Sequence, residues 1–312
     1  MKKYIKAFAP ASISNIACGF DILGFAIENP GDEIELFLTD KNKVEILEIT
    51  GDGNKLPLEV EKNTAAFAIY SMLKSLNLNI GVAIKLHKKM PLGSGLGSSA
   101  ASAVVAVFAL NELLETKLSK LQLLEFALKG EELASGAIHA DNVAPCLYGN
   151  LTLIRGYNPV DVIELNLPKD IYCTVIYSDV EIKTIEARKI LPKEIPLKQA
   201  ITQWGNVGGL VAGFLTGDFN LISRSMEDVI IEPVRKSLIP GYDEIKKTAL
   251  NAGALGCNIS GSGPSVFALS NTLEKADFIA TEMKQAVDKI GIKNTTYVSK
   301  IGNNTPKILE VE

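Results

Sequence analysis

Histidine is nearly missing from this chain. Among 312 residues only His87 and His139 occur, beside four cysteines, Cys18, Cys146, Cys173 and Cys257, that share no CxxC spacing. A zinc centre built from Cys and His is thereby excluded. The cysteines stand in apolar stretches and read as buried thiols of a reducing compartment. Arginine is also scarce: Arg155, Arg188, Arg224 and Arg235 are the only arginines among 32 basic residues, and the rest are lysines. Lysine serves as general surface charge, whereas arginine offers a rigid fork for carboxylate or phosphate. Each arginine is therefore a site candidate.

Long apolar runs are lacking too. In the N-terminal MKKYIKAFAPASISNIACGF, Pro10, Ser12, Ser14 and Asn15 interrupt the apolar residues before a signal-peptide core can form. The longest uncharged stretch, Met90–Asn111, carries Pro91, Gly93, Gly95 and Gly97 and is no membrane span. A cytoplasmic protein with no membrane partner is expected. Positive charge is not in excess either: 36 acidic residues against 32 basic ones give a net charge of −4. The densest basic stretch, Lys85, His87, Lys88 and Lys89, is too short for a nucleic-acid stripe, so no nucleic-acid partner is expected. The charge suits a protein that works on a small molecule.

What is present is an ordinary globular balance, 47% apolar and 22% charged, in a length that predicts two domains. Ile34–Thr39 and Val44–Ile49 alternate as strands joined by a turn at Asp40–Asn42. Gly81–His87 and Leu151–Arg155 are further strands, and 64–76, 99–114 and 121–135 are helices. Gly156, Asn158 and Pro159 then punctuate the chain, dividing it into domains 1–158 and 159–312. The second half reads as strands at 171–178, 265–270 and 294–301. Its helices lie at 185–191, capped by Thr184, and at 198–215, 241–252 and 273–290. The pattern is α+β, with helices stacked on largely antiparallel sheets.

The most informative segment is Pro91-Leu-Gly-Ser-Gly-Leu-Gly-Ser-Ser-Ala-Ala-Ser102. Three alternate glycines let the backbone turn through positive φ and approach a ligand closely. The helix behind them is apolar almost all round, hence buried and rigid. Its free N–H groups and positive end then face the loop, and phosphate is the natural occupant. A Walker A loop is excluded because no Lys follows the glycines, and a GxGxxG fingerprint because Ser98 stands at the third glycine. Two other small-residue clusters, Pro10–Asp21 and Asn258–Ser265, suggest one site fed by both halves.

Together the three segments resemble the motifs of the GHMP kinases, in the expected order and over nearly the whole chain. The resemblance implies a two-domain fold, with an N-terminal domain like ribosomal protein S5 domain 2 and a C-terminal ferredoxin-like domain. Within the family, His139-Ala-Asp141-Asn142-Val-Ala-Pro145, Ser14-Asn15…Gly19-Phe20-Asp21, Thr184-Ile-Glu-Ala-Arg188 and Glu232-Pro-Val-Arg235 resemble the homoserine kinase branch. That branch transfers the γ-phosphate of ATP to the side-chain hydroxyl of L-homoserine, forming O-phospho-L-homoserine in threonine biosynthesis.

The resemblance implies a role for each matching residue. Asp141, Asn142 and Thr184 belong to the catalytic centre. Asn15, Asp21, His139, Asp141, Arg188 and Arg235 bind substrate: the arginines fork its carboxylate, Asp21 takes its ammonium, and Asn15 and Asp141 hold its hydroxyl. Asn63 touches the base of ATP. Pro91, Leu92, Gly93, Ser94, Gly95, Leu96, Gly97, Ser98, Ser99, Ala100 and Ala101 hold its phosphates. Ser98 and Glu131 ligate Mg²⁺, with Glu132 left in solvent. The family is often dimeric, so a homodimer is compatible.

The same residues allow plainer readings. Asp141–Asn142 could form a turn or cap, and Glu131 could be a surface carboxylate. His139 reads as a positioned side chain rather than a base. Whether Asp141 takes the proton or only orients the hydroxyl is open. A non-catalytic sensor of this fold would show damage among Ser98, Glu131 and the glycines, and none is seen. Ser71-x-x-Lys74 lacks the partners of a serine hydrolase. A kinase of this family acting on another small alcohol is the main alternative.

Overall fold

The N-terminal residues alternate apolar and polar as far as Pro10, and they open a long strand, β1 (Tyr4–Ser14), that pairs antiparallel with β2 (Leu23–Thr39). The computed structural model describes residues 2–136 and 138–312. After β3 (Val44–Thr50), α1 (Thr64–Ser75) and β4 (Gly81–His87) comes the glycine loop, and then α2 (Ser98–Leu114). Next are α3 (Lys120–Ser135), α4 (Ala140–Tyr148), β5 (Leu151–Tyr157) and β6 (Val160–Leu165). The second half runs β7 (Tyr172–Ser178), α5 (Thr184–Lys189), α6 (Leu197–Thr216), α7 (Phe219–Ser225), α8 (Glu232–Arg235) and α9 (Tyr242–Asn251). It closes with β8 (Gly256–Ile259), β9 (Val266–Ser270), α10 (Leu273–Lys289), β10 (Asn294–Lys300) and β11 (Lys307–Val311).

The strands form two sheets. The first follows the order β11-β1-β2-β4-β3, with β5 also paired to β2 and β6 to β5. The strands at 34–39 and 44–49 are present, but they are not a hairpin. β4 inserts between them, antiparallel to β2 and parallel to β3. The second sheet has the order β10-β7-β9-β8. Numbered within the second half that is 4-1-3-2, with α10 crossing between β9 and β10, which is the expected ferredoxin-like arrangement.

The hairpin turn at Asn158–Pro159 joins β5 to β6, and both strands lie in the first sheet. The first sheet therefore reaches past the expected boundary at 158/159, and β11 returns to it from the far end of the chain. One cluster of buried apolar side chains runs through both halves, from Ile5 and Phe25 to Val175, Phe214 and Phe267. Phe25 of β2 and Phe267 of β9 meet edge to face, with ring centroids 6.1 Å apart. Among the described residues no helix is long and apolar enough to cross a membrane.

Candidate active site

The glycine loop lies where the two sheets approach. Gly93, Gly95 and Gly97 all take positive φ, between 64° and 75°. At Gly95 a Cβ would stand 2.5 Å from the Ser260 carbonyl, and at Gly97 one would stand 2.1 Å from Ser12 Oγ. Only glycine fits either position. The loop is tied down by its carbonyls. Leu96 O accepts from Ser12 N–H at 3.1 Å, Gly95 O from Ser260 Oγ at 2.6 Å, and Ser94 O from Ser265 N–H at 3.3 Å. The first and third small-residue clusters thus hold the loop from either side. Gly97 is the N-cap of α2, and Ala101 N–H makes the first intrahelical bond, to Gly97 O. The amides of Ser98, Ser99 and Ala100 precede that bond and can face an anion. The Ala101 N–H is already engaged, and the side chains of Ala101 and Leu96 are both buried.

A buried ion pair that no sequence motif announces stands under the first turn of α2. Lys88 Nζ contacts the Asp32 carboxylate and donates to Ser98 O at 2.8 Å and Ser102 Oγ at 2.7 Å. Both charged side chains are fully enclosed. In sequence Lys88 is one of four basic residues within five positions, Lys85 to Lys89. What distinguishes it is its place directly after a half-buried strand and before the loop.

The cleft above the loop has a volume of about 120 Å³ and is lined by Ser14, Asn15, Asp21, Ser98, Glu131, His139, Asp141, Asn142, Thr184, Arg188 and Arg235, among others. A neighbouring cavity of about 280 Å³, lined by Leu56, Pro57, Asn63, Leu86, Leu92 and Ser99, shares the loop with it. Asn63 reaches this second cavity with its side chain largely engaged. Its Oδ1 caps α1 by accepting from Ala65 and Ala66 N–H, and its Nδ2 donates to Pro57 O. Asn63 thus caps α1 at the wall of the cavity beside the loop.

Glu131 and Asp141 are buried, while Glu132 is exposed. Desolvation raises both buried carboxyls to about 7. At Glu131 the Ser99 hydroxyl and Lys88 oppose the rise. At Asp141 the neighbouring Asp21 adds to it, and Ser14 and Arg188 oppose it. Asp141 is neither a turn residue nor a surface cap; it sits in the first turn of α4 with Oδ1 unpartnered. Ser98 Oγ, Ser94 Oγ and His139 Nε2 are likewise buried without partners. Buried polar atoms are normally satisfied, so a group of orphans around one cleft marks a ligand's place. The Ser98 hydroxyl and the Glu131 carboxylate border the same space, and hard oxygen donors in small number suit Mg²⁺.

Two guanidiniums close the far end. Arg235 is buried; Nε donates to Ala187 O at 3.3 Å and Nη1 to Gly261 O at 2.9 Å. Burial, and then Arg188 beside it, pull its pKa down to about 10. The Phe20 ring faces both, 5.0 Å from Arg235 and 5.4 Å from Arg188. Arg188 makes a two-point pair with Asp21, at 2.8 and 3.1 Å, and donates to His139 Nδ1 at 3.4 Å. The proton of His139 then sits on the unpartnered Nε2, and burial with Arg188 nearby holds the ring neutral by lowering its pKa. Asp21 is thus an ion-pair partner here, not a free carboxylate.

Asn15 is bound to backbone as well. Its Oδ1 accepts from Asp21 N–H at 3.0 Å and its Nδ2 donates to Gly261 O at 2.8 Å, which fixes its side chain at the wall of the cleft. Thr184 lies at the start of α5 without capping it, its hydroxyl 3.4 Å from Ser262 Oγ. Arg155 pairs with Asp161 on the surface and Arg224 is exposed, so neither joins the site. Phe20 lies in the Gly19-Phe20-Asp21 motif but carries no expected role, and Tyr157, whose OH donates to Asp21 O, has no local signal that separates it from a core aromatic.

Residues 63–150 match the family model for the GHMP kinases N terminal domain, and residues 210–289 the one for GHMP kinases C terminal. The chain is 46% identical to the homoserine kinase of Chlorobium phaeobacteroides, over 98% of this chain and the whole of that one. It is 40% identical to the homoserine kinase of Methanococcus maripaludis, over 86% of this chain and 88% of that one. The crystal structure of homoserine kinase from Cytophaga hutchinsonii superposes with a TM-score of 0.97 at 56% identity, covering 99% of this chain and 98% of that one.

Proposed function

We infer the roles of the site residues from one premise: the chain belongs to the GHMP kinases, and its reaction is that of their homoserine kinase branch. It transfers the γ-phosphate of ATP, with Mg²⁺, to the side-chain hydroxyl of L-homoserine, a step of threonine biosynthesis. The observation that carries the residue roles is a convergence. An amide-lined phosphate cradle and a pair of guanidiniums face each other across a cleft of unpartnered polar atoms.

The substrate carries a carboxylate, an ammonium and a hydroxyl. Arg188 and Arg235 receive the carboxylate, since two crowded cations with one shared aromatic face are relieved by an anion between them. The loop amides and the positive end of α2 receive the phosphates. Ser98 and Glu131 would hold Mg²⁺, which when bound would supply charge neutralisation for the transferring group. Asp141 accepts the hydrogen bond of the substrate hydroxyl and aims it at phosphorus, and His139 Nε2–H donates into the same space. Phosphoryl transfer through a loose transition state needs positioning and charge neutralisation above all. Four free, buried thiols suit a cytoplasmic setting.

The test is a coupled ADP-release assay with homoserine, threonine, shikimate, mevalonate and galactose, run on the wild type and on Arg235→Ala. Homoserine should be preferred. Truncating one partner of a desolvated charge pair removes about 2–5 kcal/mol, so the homoserine KM should rise roughly 30-fold or more while the ATP KM barely moves. A loss of ATP affinity at constant homoserine KM would make Arg235 a phosphate clamp and remove the carboxylate assignment.

A further inference from the structure

We propose that the Asp21–Arg188 ion pair is a built-in competitor for the substrate, and that a zwitterion is selected because only it can break this pair and satisfy both halves at once. The proposal rests on the carboxylate reading of the two arginines given above.

The cleft holds two opposite charges against each other in the space an α-amino acid head would fill. Arg188 grips both oxygens of Asp21 and stays about one-third exposed, as does its partner, so the pair is open to attack from the cleft. Asp21 cannot follow a departing guanidinium. Its φ is +61°, its N–H is held by Asn15 Oδ1, and its carbonyl accepts from Tyr157 OH at 2.5 Å. Nor can it be left bare: a carboxylate oxygen of Asp141 lies within 4.8 Å of one of its own, and Asp21 pushes the Asp141 carboxyl up, so an unpaired Asp21 would face a like charge. Arg188 has an alternative anion site prepared, because Arg235 stands beside it across Phe20.

These facts give each ligand class a different outcome. A carboxylate without an ammonium must take Arg188 from Asp21 and leaves a carboxylate stranded beside Asp141. An amine without a carboxylate must take Asp21 from Arg188 and leaves two guanidiniums facing one another. An α-amino acid inserts between the two, its carboxylate on Arg188 and Arg235 and its ammonium on Asp21. Every charge is then paired again. Discrimination arises from the unpaired groups that wrong ligands leave behind, not only from the contacts the right one makes.

The sign of one substitution separates this from a simple ammonium contact. Asp21→Asn keeps the left-handed backbone, which Asn tolerates well, and deletes the competitor. Binding of L-homoserine, 4-hydroxybutyrate (no ammonium) and 3-amino-1-propanol (no carboxylate) would be measured by calorimetry on the wild type, Asp21→Asn and Arg235→Ala. Asp21→Asn should weaken homoserine at least tenfold but strengthen 4-hydroxybutyrate about three- to tenfold, because Arg188 is now free. 3-Amino-1-propanol should lose what affinity it has. In the wild type, methylammonium chloride should strengthen 4-hydroxybutyrate binding relative to sodium chloride at the same ionic strength, a result that needs no variant to fold. If 4-hydroxybutyrate binds Asp21→Asn no better than wild type and methylammonium has no effect, while Arg235→Ala still loses homoserine, the exchange is wrong and the substrate reading stands. If Arg235→Ala binds homoserine as the wild type does, the substrate reading fails and the exchange fails with it.

Discussion

Asp141 is held in the first turn of α4 with almost no exposure, and burial followed by the nearby Asp21 lifts its carboxyl to about 7. A carboxyl whose folded pKa lies above its unfolded value of 3.8 binds its proton more tightly in the folded state. Below that unfolded value both states are protonated and nothing is lost. As pH rises toward 7 the unfolded chain ionises first, so stability falls through this window and levels off above it. Asp141→Asn cannot ionise. It should be more stable than the wild type at pH 8 by an amount on the order of 1–3 kcal/mol, seen as a higher melting temperature, and the gap should close toward pH 4. Its turnover should fall about 100-fold or more. Equal melting temperatures at pH 8 would show that the site does not strain this carboxyl. Residue by residue, legibility followed scarcity. Arg188 and Arg235 stood out because arginine is rare in this chain, whereas Lys88 was hidden among many lysines. Asn15, Asn63 and Asp21 are legible as candidates through the resemblance, but no local pattern tells that their side chains already hold backbone or Arg188.

At the scale of the element, α2 and its loop depend on what lies beneath them. Lys88→Met leaves Asp32 ionised and enclosed, which typically removes about 3–5 kcal/mol. Pairing it with Asp32→Asn removes the stranded charge and should recover a good part of the loss, a non-additivity readable in urea denaturation. The single variant should also raise the KM for ATP, because the Ser98 carbonyl loses its brace; an unchanged KM would mean the network serves folding alone. Gly95→Ala tests the loop itself. Its φ of +75° and the Ser260 carbonyl 2.5 Å from the new methyl force the loop to move, so ATP affinity should collapse with the rest of the fold intact by circular dichroism. The elements legible in sequence, such as 64–75 and 81–87, carry their own period and caps. Those missed were short or depended on distant partners: α7 and α8 have 7 and 4 residues, and β8 has 4. α4 hides behind Pro145, which sits inside it. The β2–β3 hairpin was misread because local alternation gives a strand its face but not its neighbour.

At the scale of the whole molecule, the chain reads as two halves but does not pack as two independent ones. Punctuation at Gly156, Asn158 and Pro159 marks a turn, and nothing local reveals that β6 beyond it and β11 at the far end both belong to the first sheet. The halves also share their core: Phe267 of the second sheet is fully buried against Phe25 of the first. Ser299 Oγ accepts from Glu28 N–H at 2.8 Å, and Asn150 N–H donates to Gly302 O at 2.6 Å, tying the two further. Chains beyond roughly 150 residues often unfold in stages, so cooperativity here is a real prediction. The single tryptophan, Trp204 on α6, reports on the second half, while far-ultraviolet circular dichroism reports on both. In urea the two signals should follow one transition. Phe267→Ala opens a cavity at the junction and should cost about 3–5 kcal/mol, moving both signals together rather than splitting them. Two separated transitions, with only the tryptophan signal shifted by the substitution, would show that the halves unfold independently and that the cleft between them is held by loop contacts alone.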